Sequence, residues 1–202
     1  MTSPAPSTAR TWALACALLI ALSGAVWLAS VAGLVAPEHL AWRAEDWTAA
    51  PWTLWTAPLV HFLLPHALAN MLALAALGAL GTLLPVRPRD ALALMLAWPL
   101  STLALLLWPQ VGGYYGLASL AHAAAAILAI SALSSPASYR IGQWLGIGLL
   151  IKLALERGWD TPVGFENSWG FNIVFAAHLT GALSGAAMAL IVQAFMAVRK
   201  PE

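Results

Sequence analysis

Six side chains able to do chemistry lie in or beside otherwise apolar stretches: His61, His66 and Asn70, then Ser119 and His122, then His178. An ionisable group within a segment long enough to span a bilayer costs roughly 3 kcal/mol or more unless it is paired, so each one asks for a partner. His66 and Asn70 are four residues apart and share a face if their segment is helical. Ser119 falls in the first turn of its stretch, where helix N-terminal N–H groups favour a developing anion. A serine and a histidine at comparable depth on two helices, with small residues around them, suit a nucleophile (Ser119) and its base (His178). His66 and Asn70 could then donate hydrogen bonds to an oxyanion. Two other accounts stay open. Neutral imidazoles in a helix bundle could ligate a haem or a metal, but no His-x-x-x-His or acid-rich ligand set accompanies them, so no cofactor and no metal is expected. Alternatively, these polar groups merely hydrogen-bond one another across helices.

The elements that position these residues are apolar and long. The chain of 202 residues is 61% hydrophobic and 8% charged, against about 25% charged in ordinary soluble domains. With a mean hydropathy of +0.81, the working solvent is a bilayer, where backbone groups must be satisfied within helices or a closed barrel. Its apolar runs are continuous rather than alternating, which selects helices. A net charge of +1 gives no nucleic-acid footprint, so no nucleic-acid partner is expected. The single cysteine, Cys16, excludes a disulfide framework and a multi-cysteine metal site within one chain.

In chain order, residues 1–11 read as a short polar leader carrying Arg10, and Trp12 to Leu34 as a retained first span rather than a signal peptide. Residues 36–56 mix charges with Trp42, Trp47, Trp52 and Trp55, the pattern of a loop lying in the membrane interface. Further spans are expected over Pro58–Leu84, Ala91–Trp108 (with Pro99 bending it), Gly116–Leu133, Tyr139–Leu155 and Phe171–Val198. The connectors are the turn at 85–90, a glycine- and tyrosine-bearing loop at 109–115, a break at Ser134-Ser135-Pro136 and a polar loop at 157–169. Lys152, near the end of the fifth span, is expected to snorkel. The expectation is therefore an all-helical, six-span membrane domain over residues 12–198, with a tail at 199–202. With both termini cytoplasmic, Arg10, Arg87, Arg89, Arg140, Arg199 and Lys200 lie inside, and Arg43 and Arg157 outside with Lys152 near that face, a bias that fits the positive-inside rule. His178 then sits roughly two helical turns below the outer surface. Beyond it, Gly181 and Gly185 follow on the same face as a G-x-x-x-G pair, which lets a neighbouring helix approach closely.

Together these stretches resemble the rhomboid family of intramembrane serine proteases, over about Trp42 to Leu190. His61-Phe62-Leu63-Leu64-Pro65-His66-Ala67-Leu68-Ala69-Asn70 is similar to that family's His-x4-His-x3-Asn signature, which implies oxyanion support by His66 and Asn70 and an auxiliary place for His61. Ala177-His178-x-x-Gly181-x-x-x-Gly185 is similar to its sixth span, which implies that His178 is the general base. Six spans, compactness and His122 make the chain most similar to the rhombosortase subgroup. That resemblance implies action at the outer face of a bacterial inner membrane, on proteins held by a single span or a C-terminal anchor.

One stretch departs from the pattern. The family's nucleophile stands in Gly-x-Ser-Gly, and here the residues are Gly116-Leu117-Ala118-Ser119-Leu120-Ala121-His122. Keeping Gly116 and His122 in register puts Ala118 at the nucleophile's place. Three explanations fit: an enzyme whose serine at 118 has been replaced by alanine, a displaced nucleophile at Ser119, or a relative that binds transmembrane segments without cleaving them. A shift of one residue turns a helical side chain by about 100°, which argues against Ser119.

Overall fold

The computed structural model describes residues 6–166 and 170–198; the expected tail at 199–202 and the start of the leader lie outside them. Six long helices are present among the described residues: α1 (Pro6–Val31), α3 (Leu64–Leu83), α4 (Pro88–Leu103), α5 (Ala118–Leu133), α6 (Tyr139–Glu156) and α7 (Phe175–Val198), with a four-residue α2 (Thr53–Thr56) in the first long connector. Four are long and apolar enough to cross a membrane, over Ala9–Val31, Leu64–Leu83, Pro88–Leu107 and Phe175–Ala197. The other two fall short of that standard for physical reasons. In α6, Arg140, Lys152 and Glu156 stand among its 18 residues. As for α5, it has only 16 residues, of which twelve are buried. A helix enclosed by its neighbours does not have to match the bilayer's thickness.

The bundle is built around α5, which packs on α7, α6, α4 and α3, while α1 leans on α3 and α4 from outside. Its main core joins Trp12 and Leu19 of α1, Leu74 of α3, Leu94 of α4 and Leu120, Ile127 and Leu128 of α5. Outward faces keep large apolar side chains exposed, such as Leu14, Leu28, Leu72, Leu150, Leu155 and Ile191. A soluble protein does not present so much apolar surface; lipid covers it here. The chain is an integral membrane protein.

Several boundaries differ from those expected. The second span begins at Leu64 rather than Pro58: Ala57–Leu59 forms a 3-10 turn, and the chain is then extended up to Leu63 before Pro65 opens α3. His61 therefore stands before the helix rather than on it. The sixth span loses its start, because Phe171–Ile173 is a strand (β4) paired antiparallel with Gly164–Glu166 (β3). Pro99 lies within α4, whose chain goes over to a 3-10 turn at Ala104–Leu107. A second small sheet pairs Trp42–Arg43 (β1) with Gly113–Tyr114 (β2), tying the tryptophan-rich connector to the loop before α5. Buried Trp42 and Tyr114 pack there with Ala176 and Ala177, so this loop core also anchors the start of α7.

Candidate active site

At the end of the bundle opposite Arg87 and Arg140, the starts of α3, α5 and α7 and the end of α6 surround a cavity of about 610 Å³. His66, Asn70, Ala118, His122, Glu156 and His178 all line it.

The site is held by backbone contact. A Cβ on Gly181 would land on the Ser119 carbonyl oxygen, and one on Gly185 would lie 2.5 Å from the Ala123 carbonyl oxygen. Glycine at both positions lets α7 lie directly on α5, which fixes His178, in the first turn of α7, beside Ala118, the first residue of α5. Gly116 (φ +107) turns the preceding loop in a conformation open to glycine, and a side chain there would meet the His66 ring at 2.9 Å.

Ser119 is fully buried and does not line the cavity. The Tyr114 hydroxyl donates to the Gly116 carbonyl. Its oxygen is therefore left to accept the Ser119 hydroxyl at 2.8 Å and the Ser119 N–H at 3.2 Å. Burial pushes the Tyr114 phenol up to about 12, so it keeps its proton at any physiological pH. Ser119 is occupied as a structural hydroxyl, and Ala118 is the neighbour that faces His178's cavity.

His61 is also a scaffold group. Its Nε2 accepts from the Leu117 N–H at 3.3 Å and from Asn70 Nδ2 at 3.2 Å. That leaves the proton on Nδ1, which donates to Ser23 Oγ at 3.2 Å, and Ser23 in turn donates to the Leu59 carbonyl at 2.9 Å. One imidazole thereby joins α1, α3 and the entry of α5. The His66 ring stands edge-on to His61 at 5.0 Å and against Phe171 at 4.9 Å.

His122 and His178 stack, with ring centroids 4.3 Å apart and planes 9° from parallel. His122 Nδ1 donates to the Ala118 carbonyl at 2.7 Å, so its ring is held against the backbone of α5. The sequence reading did not single out Glu156, which hydrogen-bonds His178 Nδ1 at 2.8 Å through one oxygen and receives Lys152 Nζ at 2.6 Å on the other. Lys152 reaches toward the end of α6 and remains half exposed, and its ammonium there borders the cavity through Glu156. The Lys152–Glu156 spacing of i,i+4 was the available signal.

His122, Glu156 and His178 each bring one ligand atom within 4.8 Å of the others, a possible two-histidine, one-carboxylate metal set. Stacked, nearly parallel rings hold their in-plane lone pairs in two separate planes, which does not suit convergence on one ion, and both Glu156 oxygens are already engaged. The arrangement fits an organic hydrogen-bond relay better than a metal centre.

Comparison with known families decides what kind of bundle this is: the model of the Rhomboid domain matches residues 48–195. The chain belongs to the rhomboid family. No curated protein matches it. The rhomboid match takes in α2 to α6, α7 as far as Phe195, and every cavity residue named above. The protein is thus a rhomboid-type intramembrane protease or a relative of one.

Proposed function

We propose that this rhomboid has the architecture of a serine endopeptidase of rhombosortase type, with alanine standing where the nucleophile acts. The observation that carries this reading is that Ala118 and His178 face one cavity with His66 and Asn70, while buried Ser119 does not line it and has its hydroxyl engaged by Tyr114. With serine at 118, Oγ attacks the scissile carbonyl carbon as His178 Nε2 takes its proton. His66 and Asn70 donate to the oxyanion. Collapse of the tetrahedral intermediate returns the proton to the leaving amine, and water then hydrolyses the acyl-enzyme by the same route. Placement of His122 four residues after Ala118, stacked on His178, is what favours the subgroup. Substrates on this reading are proteins held by a single span or a C-terminal anchor, cleaved near the outer face of a bacterial inner membrane, with both termini of the chain cytoplasmic. An apolar groove of about 310 Å³ between α3 and α6, lined by Leu77, Leu145 and Gly148, shares Ala73, Ala121, His122 and Lys152 with the cavity and suits a transmembrane segment.

The second reading rests on Ala118 itself: the chain as it stands binds transmembrane segments in this groove without cutting them. Fluorophosphonate labelling separates the two. Ala118→Ser is expected to label, and Ala118→Ser with His178→Ala is not. Labelling of the unaltered chain would restore Ser119 as nucleophile. A folded Ala118→Ser protein that stays unlabelled would leave the binding function standing.

A further inference from the structure

We propose that Glu156, clamped by Lys152, is the positioning residue for His178: it accepts a hydrogen bond from Nδ1–H and so presents a bare Nε2 to position 118. The inference rests on the protease reading for its purpose, but the geometry stands without it. Glu156 is the last residue of α6 and His178 the fourth of α7, and beyond this pair the two helices meet through apolar side chains, Leu149 and Leu153 against Leu179 and Ala182. The hydrogen bond of 2.8 Å from His178 Nδ1 is therefore a specific tie between them.

An ionised carboxylate only accepts hydrogen bonds, so the proton in this contact belongs to Nδ1. Lys152 occupies the far oxygen at 2.6 Å, which fixes the carboxylate plane and leaves a single oxygen for the imidazole. On the other side, the parallel His122 ring covers the face of His178 and is itself pinned to the Ala118 carbonyl at 2.7 Å. The His178 ring is thus fixed in tautomer by α6 and in tilt by α5. When a serine proton moves to Nε2, the resulting imidazolium keeps its Nδ1–H on Glu156, which remains a carboxylate throughout; no second proton moves. A helix-end ion pair with no further role would need only Lys152 and Glu156. The third member, aimed at the group that faces position 118, is what such a role does not explain.

The test uses the full chain, labelled with nitrogen-15 at histidine, in detergent or liposomes. The His178 signals are identified by their loss in His178→Ala. Neutral His178 is expected to carry its proton on Nδ1 in the unaltered chain, in Lys152→Met and in Glu156→Gln, whose amide oxygen can still accept. In Glu156→Ala it should lose that single tautomer, while the His61 signals report an intact fold. A second arm adds the same changes to Ala118→Ser and follows the fluorophosphonate labelling rate. Glu156→Ala is expected to slow it about 10²- to 10⁴-fold, with Glu156→Gln and Glu156→Asp recovering part of the loss. An Nε2–H tautomer in the unaltered chain, or a tautomer indifferent to Glu156→Ala, overturns the proposal. So does one-to-one zinc binding that depends on His122, since a metal would claim the same carboxylate. If Ala118→Ser does not label at all, the protease reading fails and the tautomer measurement alone decides the role of Glu156. Should Glu156→Ala not fold, Glu156→Gln with Lys152→Met decides it: both must keep the Nδ1–H form.

Discussion

Ser119 shows how one residue's shift divides chemistry from scaffold. The sequence placed it correctly in the first turn of a helix, but the helix start alone could not say that Tyr114 would claim its hydroxyl. Ser119→Ala in an Ala118→Ser background is accordingly expected to leave fluorophosphonate labelling in place. Tyr114→Phe removes the donor to the Gly116 carbonyl and the acceptor for Ser119 together. Leaving buried groups unpaired costs about 1–3 kcal/mol, which thermal unfolding in detergent should register as a lowered midpoint. His66, Asn70 and His178 were legible because their spacing and their apolar surroundings stand out in one dimension. Glu156 was not, since it reads as the polar end of a span; its meaning comes from a partner on another helix, 22 residues away.

At the level of elements, the contact that matters most is α5 against α7. Gly181→Ala would push a methyl group onto the Ser119 backbone, where a rigid carbonyl cannot step aside. A loss of about 1–3 kcal/mol is expected, along with weaker labelling in the Ala118→Ser background as His178 withdraws. Gly24→Ala in α1, with open space around it, is the control and should change little. The G-x-x-x-G pair announced this packing in the sequence. The hairpin of β3 and β4 was not announced, because its strands are only three residues long and straddle a polar loop and the start of an apolar run; the extended stretch around His61 was obscured because apolar residues continue through it. Pro58 and Pro65 were the signals that the helix could not run from 58 onward. Hydropathy sees where lipid or protein interior is, not where the backbone leaves the helix.

Taken whole, the molecule keeps many large leucines on its outer surface while burying His61, His122 and His178, and the long apolar runs made that outer surface readable from composition. Its span count was less legible: α5 is short because it is enclosed, and α6 carries charges because its end serves the cavity. The expected orientation can be checked by thiol labelling, for the one native cysteine, Cys16, is buried. In intact cells a membrane-impermeant maleimide should reach Arg43→Cys and Asp160→Cys, but reach Arg87→Cys and Arg140→Cys only after permeabilisation. The opposite pattern would place the cavity on the cytoplasmic side. Ala118, finally, has a bearing on descent. Its side chain borders open space, so alanine and serine there differ by one oxygen atom that no packed neighbour registers. The scaffold stays the same either way, held by Gly181, Gly185, His61 and Tyr114. On the proposed protease reading, gaining or losing the nucleophile on this scaffold takes one side-chain change and no refolding.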